Sequence, residues 1–180
     1  ISGAARQMGG LVGNFTAGTI ISSYATGAVN GASIAGGLVG GQFAAGTISA
    51  SYATGAVSGA TWSGGLVGYG LGTISSSYAT GTVTGAGLAG GLVAYQVEGS
   101  IASSYATGAV SATSSASAGW AGGLVASNLG TITSSYATGA VSAATLAGGL
   151  VGVSNGPVSS SYATGAVNST YATGYVGGLI

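Results

Sequence analysis

The sequence predicts an all-β fold, a single-stranded three-sided β-solenoid (β-helix) with about one 26–28-residue repeat per coil. Three observations carry this reading. Gly-Gly-Leu-Val begins at Gly9, Gly36, Gly64, Gly90, Gly122 and Gly148, and Gly-Gly-Leu-Ile begins at Gly177, giving spacings of 27, 28, 26, 32, 26 and 29 residues. Tyr-Ala-Thr-Gly begins at Tyr24, Tyr52, Tyr78, Tyr105, Tyr136 and Tyr162, with an extra copy at Tyr171. Between these signatures, Gly and β-branched residues fill the windows where a helix would need its i, i+3, i+4 apolar spacing, so strands are expected. A fixed period of this length marks units that bury their apolar faces only by stacking on their neighbours.

Each repeat divides into three extended pieces. Gly-Gly-Leu-Val-Gly comes first; its paired glycines let coils approach closely, and glycines at the corners are expected to supply positive φ. Gly-Thr-Ile-Ser-Ser follows, after a slack segment of which Asn14-Phe15-Thr16-Ala17 and Tyr95-Gln96-Val97-Glu98 are examples, expected to be loops. Ser-Tyr-Ala-Thr-Gly-Ala-Val is the third piece. Alternation on a strand puts Ser23, Ala25, Gly27 and Val29 on one face, suited to a crowded interior, and Tyr24, Thr26 and Ala28 on the outer one. A further apolar column precedes each Gly-Gly by two residues: Ile34, Trp62, Leu88, Trp120, Leu146 and Tyr175. It reads as core or as a corner ledge, stacked at the strand spacing of about 4.8 Å.

The coils then run near 9–35, 36–63, 64–89, 90–121, 122–147 and 148–176, with a partial coil at 177–180, all in one repeat domain spanning 1–180. Two local insertions interrupt the period, one within Ser111 to Gly119 and one carrying the extra copy from Tyr171 to Gly174. Pro157 stands where other coils have the Thr of Gly-Thr-Ile. It removes one ladder donor and suggests an edge or terminating coil.

Composition narrows function. The 180 residues include one basic group, Arg6, and one acidic group, Glu98, with no His and no Cys. Acid–base and nucleophilic catalysis need a tuned titratable partner, so no enzyme is expected. Zinc and calcium sites need ligands this chain lacks, and nucleic-acid binding needs several Lys and Arg; neither metal, cofactor nor nucleic acid is expected. Disorder normally accompanies low hydrophobicity and high charge, whereas this chain is 47% hydrophobic and neutral. No stretch approaches the roughly 18 apolar residues of a membrane-spanning helix. A barrel of tilted hairpins would fit the period but not the Gly-Gly pairs or the single aromatic per repeat. Ile1 to Met8 lacks the features of a signal peptide, which suggests a mature product, an internal fragment or another export route.

The unit Gly-Gly-Leu-Val-Gly … Gly-Thr-Ile-Ser-Ser-Ser-Tyr-Ala-Thr-Gly-Thr-Val-Thr-Gly, as it stands from Gly64 to Gly85, resembles the GLUG repeat of bacterial surface and secreted proteins. Its Gly-Leu-x-Gly core appears at Gly10 to Gly13, Gly37 to Gly40, Gly65 to Gly68 and Gly149 to Gly152, while Ala94 and Ala126 replace the last Gly in two copies. The resemblance covers nearly the whole chain. It implies an extracellular or cell-surface structural role, as in filamentous-haemagglutinin-like adhesins whose repeats form extended β-helical stalks. It carries over no catalytic or binding residue, and this chain has fewer charged residues than is usual for that family.

The outward ladder of Tyr24, Thr26, Tyr52, Thr54, Tyr78, Thr80, Tyr105, Thr107, Tyr136, Thr138, Tyr162 and Thr164 is the candidate interaction surface. Exposed aromatics suit an interface or a glycan, and stacked tyrosines also stabilise a sheet by themselves. Loss of surface charge favours association, so copies of the same chain are the first expected partner, as building blocks of an extracellular fibre. A surface glycan is a further candidate partner. Ice is another, since the Thr column forms a charge-poor, regularly spaced hydroxyl and methyl array. Asn14-Phe15-Thr16 and Asn168-Ser169-Thr170 match the glycosylation acceptor pattern, at a frequency that a Ser- and Thr-rich chain reaches by chance. Arg6 and Glu98 lie about three coils apart by repeat count and are expected to be solvated singletons.

Overall fold

The computed structural model describes residues 1–59, 61–114, 119–171 and 174–179. Among them the fold is entirely strands, bends and turns. Thirty-two strands of two to four residues assemble into five parallel sheets, each built from one strand per coil. Parallel pairing between like positions of successive coils, with no antiparallel partner among the described strands, is the architecture of a β-solenoid and not of a hairpin barrel.

Five sheets appear where three pieces are expected. Gly-Gly-Leu-Val-Gly gives a sheet of Val39–Gln42 and its equivalents; Gly-Thr-Ile-Ser gives one of Thr47–Ser49 and its equivalents. The third piece is cut in two at the Gly of Tyr-Ala-Thr-Gly. Tyr52–Ala53 belongs to a tyrosine sheet and Val57–Gly59 to a separate valine sheet. The ledge residues form the fifth sheet, in which Ile34–Gly36, Trp62–Gly64 and Leu88–Gly90 pair in register.

The core follows from these faces. Leu38, Leu66, Leu92, Leu124 and Leu150, the Val after each, Ile48, Ile74, Ile101 and Ile132, and the Ala of each central Tyr-Ala fill one continuous interior. Each fully buried Leu or Ile contributes on the order of 2–3 kcal/mol. Leu and Val point inward consecutively because both their N–H groups donate to a single carbonyl of the next coil: Leu66 and Val67 both bond the Leu92 oxygen, at 2.8 and 3.0 Å. A thinner second core of Val83, Ala89, Val110, Ala121, Val141 and Ala147 separates the valine sheet from the ledge sheet.

Close coil approach needs the paired glycines, as expected, whereas positive φ does not fall on the corner glycines. The paired glycines are required by space and not by φ. A Cβ on Gly36, Gly64 or Gly90 would fall 1.8–1.9 Å from the Val carbonyl three residues on, and one on Gly37, Gly65 or Gly91 would fall 1.9–2.1 Å from the backbone of the next coil. Positive φ occurs instead at Ser22, Ala50, Ser76, Ser103, Ser134 and Ser160, all between 47° and 50°, and among the described glycines only at Gly18 and Gly99. The serine that follows each corner makes it tenable. Its Oγ donates back across the bend to the carbonyl two residues earlier, as from Ser51 to Ser49 and from Ser77 to Ser75, both at 2.7 Å. The same Oγ accepts the N–H of the equivalent serine one coil back, so a buried hydroxyl ladder pins every turn.

The slack segments are also corrected. Asn14 and Phe15 lie in the strand Val12–Phe15, and Tyr95 and Gln96 in Val93–Gln96. Gln42, Gln96 and Asn128 are polar residues at the strand end, yet they are fully buried, because their side-chain amides donate to loop carbonyls at Gly46, Gly72 and Gly130. Polarity that reads as loop in the sequence is here an interior clasp on the loop backbone. Pro157 is exposed in the last coil, and its carbonyl still accepts the Ile132 N–H at 2.9 Å. The centre of the first insertion, 115–118, and residues 172 and 173 of the second lie outside the described residues.

Candidate functional site

The tyrosine sheet is held by backbone bonds on either side of each ring. Tyr52 N–H donates to the Ser23 carbonyl at 3.0 Å, Thr54 N–H donates to the Ala25 carbonyl at 3.1 Å, and the pattern recurs in every later coil. With Ala25, Ala53, Ala79, Ala106 and Ala137 turned inward, Tyr and Thr face out. The six rings form one face-to-face stack from Tyr24 to Tyr162, with centroids 4.9–5.2 Å apart and planes within 3–7° of parallel. Beside them Thr26, Thr54, Thr80, Thr107, Thr138 and Thr164 are all exposed. The twelve residues singled out in the sequence therefore form two adjacent axial columns.

Stacking decides what this ridge can offer. Ring faces are covered by the rings above and below, so the surface presents ring edges, and only the terminal Tyr24 and Tyr162 are more than half exposed. The phenols also feel one another. Burial first, then the neighbouring Tyr136 and Tyr78 hydroxyls, push the Tyr105 phenol above its ordinary value near 10.

One residue past each Thr the chain bends toward the valine sheet, and an axial groove of about 430 Å³ runs along that sheet. The strands at Val83, Val110 and Val141, whose side chains turn into the second core, lie beneath it, and Thr82, Ala109 and Ala140 on one side and Thr84, Ser111 and Ser142 on the other make its rims. Every wall residue is uncharged. The sequence gives no sign of this groove beyond the small residues at those positions.

The ledge column lies on another side of the rod. Ile34 and Leu88 are buried, Trp62, Trp120 and Leu146 half-buried and Tyr175 exposed, so the column grades from core to surface. Trp62 stacks on Tyr69 with centroids 5.3 Å apart, Phe43 covers the same tyrosine at 4.9 Å, and Tyr95 meets it edge-on at 5.8 Å. Trp62 and Tyr95, together with Trp120, also pack on a small buried cluster of Leu88, Ala94 and Ala126. Tyr69 and Tyr95 escape a sequence reading because their column elsewhere holds Asn14, Gly41 and Ser127. Arg6 and Glu98 are both exposed.

The family model described as the GLUG motif matches residues 4–30 and 59–84. No curated protein and no solved structure matches the chain. Each matched stretch makes one circuit of the solenoid, from the valine sheet of one coil to that of the next. The chain thus carries the GLUG motif at two positions of a β-solenoid whose remaining coils repeat the same signatures in the same register.

Proposed function

We propose that the chain is an extracellular structural module, a building block of a surface fibre or adhesin stalk that associates with copies of itself through its neutral sides. The observation that carries this reading is the combination of an uninterrupted parallel ladder with a surface holding one Arg and one Glu. Charge on a soluble domain opposes association, and its loss favours it. The tyrosine, threonine and serine columns repeat coil after coil without forming a constellation of nucleophile, base or ligand, which suits mechanical continuity better than chemistry. The GLUG motif is consistent with such a structural part.

Negative-stain electron microscopy across a dilution series tests the proposal. Rods aligned side by side or joined into filaments are expected at high concentration, dissociating on dilution. Rods about 30 Å long that stay single at every concentration would overturn self-association.

A second reading, ice binding, has one feature in its favour. Besides the exposed Thr column, the sheet containing Thr47–Ser49, Thr73–Ser75 and Thr131–Thr133 carries two hydroxyl ranks flanking buried Ile48, Ile74 and Ile132. The ranks stand roughly 6.6 Å apart across the strand and about 4.8 Å apart along the axis, a flat charge-free lattice. Ser100–Ala102 interrupts one rank and Pro157 the other. Thermal hysteresis that vanishes on Thr73→Arg would support this reading; its absence from the parent protein would remove it.

A further inference from the structure

We propose that the tyrosine ridge of one copy seats in the groove along the valine sheet of a second copy, joining solenoids side by side with their axes aligned. The inference rests on the self-association reading above and names the surfaces that carry it.

Commensurate spacing is the first argument. Ridge and groove belong to the same coils: Tyr52, Tyr78, Tyr105 and Tyr136 pair in register across the tyrosine sheet, and Val57, Val83, Val110 and Val141 pair in register across the valine sheet. Both columns therefore share one axial repeat, and a ring that fits between the rims at one coil fits at every coil. A partner of any other periodicity would drift out of step within a few coils.

Shape and polarity supply the second. The rings stack face to face at 4.9 Å in the middle of the ladder, so what projects is a continuous line of ring edges and hydroxyls. The groove is a continuous line too, about 430 Å³ spread along the coils from Thr82 to Asn168, between rims that carry Ala and Thr methyls and Thr and Ser hydroxyls. Ring edges meet the Ala109, Ala140 and threonine methyls that rim the groove, and phenol hydroxyls reach rim hydroxyls. Neither surface contains a charge, so docking strands no ion away from water. This complementarity favours a second copy over a charged polymer or an acidic glycan, which would find no counter-charge here.

Each copy carries both a ridge and a groove, so the contact joins unlike surfaces, and this gives a discriminating experiment. The ridge variant carries Tyr78→Ser and Tyr105→Ser. The groove variant carries Thr84→Arg and Ser111→Arg, on side chains outside both cores. A control variant places Thr47→Arg and Thr73→Arg on the isoleucine-containing sheet. Circular dichroism checks that each retains the strand spectrum, and sedimentation velocity reads association of the whole 180-residue chain. Expected is loss of association by the ridge and groove variants taken singly, its retention by the control, and its recovery when ridge and groove variants are mixed one to one, since the mixture restores one intact ridge facing one intact groove. Association that survives in both variants, or that the control abolishes equally, would overturn the ridge-in-groove contact while leaving self-association standing. So would a mixture that stays monomeric. A monomeric parent protein would remove both.

Discussion

The backbone N–H of Ser77 donates to the Oγ of Ser104 in the next coil at 3.2 Å, and that Oγ donates in turn to the carbonyl of Ala102 in its own coil at 2.8 Å. One buried hydroxyl thus gives the Ser77 N–H its partner at a positive-φ corner and adds a second donor to the Ala102 carbonyl, which also accepts the Ser76 N–H at 3.1 Å. Replacing Ser104 by Ala strands the Ser77 N–H and is expected to cost about 1–3 kcal/mol, seen as a lower urea midpoint. Ser161→Ala, at the half-buried last corner where the Oγ likewise accepts the Ser135 N–H, is expected to cost less, because water reaches this end of the ladder and can replace part of the bonding. Equal losses at the two sites would contradict the ladder's role.

Ser63 makes the opposite case. It is fully buried in the ledge column, where Ala35, Ala89 and Ala121 stand in neighbouring coils, and its Oγ has no partner among the described residues. Ser63→Ala removes an unpaired hydroxyl without changing the backbone. A gain of about 1 kcal/mol is expected in thermal or urea unfolding. A loss would mean that the hydroxyl is bonded.

Close approach of the coils can be tested within one glycine column. A Cβ on Gly81 would lie 2.0 Å from the Gly55 carbonyl oxygen, whereas one on Gly27 meets nothing within 4 Å. Gly81→Ala is expected to destabilise by at least about 3 kcal/mol, since the obstructing atom is backbone and cannot swing aside. Gly27→Ala is expected to stabilise by about 0.4–1 kcal/mol, by restricting the unfolded chain at a φ that alanine accepts. Similar effects at both would show that these glycines serve flexibility and not spacing.

Alkaline pH should weaken the tyrosine ladder. The Tyr105 phenol is held above its ordinary value near 10 by burial and then by Tyr136 and Tyr78, so the folded state binds its proton more tightly than the unfolded chain does. That stability is fully present below pH 10 and is lost as pH rises through the folded value. A falling melting temperature above about pH 10, parallel with phenolate absorbance, is expected. Tyr105→Phe should flatten the decline, and an unchanged slope would contradict the assignment.

Much of this was legible in the sequence because solenoids write their architecture as a period. Gly-Gly-Leu-Val and Tyr-Ala-Thr-Gly locate the coils, and alternation places Tyr24 and Thr26 outside and Ala25 and Val29 inside, as the structure does. Bends are harder. Nothing in Ser-Tyr-Ala-Thr-Gly-Ala-Val marks Gly27 as the boundary between two sheets, since an alternating pattern runs through the bend unbroken. Positive φ at Ser76 and Ser103 is invisible for a related reason: serine ordinarily avoids that conformation, and the hydroxyl that permits it comes from the next residue and is shared with another coil. Gln96 misleads through polarity, because its amide turns inward and donates to the Glu98 carbonyl of its own loop and to the Gly72 carbonyl of the preceding coil. The groove over Val110 emerges only in three dimensions.

The central claim is that uncharged solenoids pack laterally with their coil axes aligned, and X-ray diffraction from a concentrated, oriented specimen tests it most directly. The expected pattern is a sharp reflection near 4.8 Å along the direction of rod alignment, from the coil spacing, with sampled equatorial peaks from side-by-side packing that persist at about 1 M salt, where charge interactions are screened within about 3 Å. A diffuse 4.8 Å ring without equatorial peaks, from rods that stay unaligned and separate at high concentration, would contradict it.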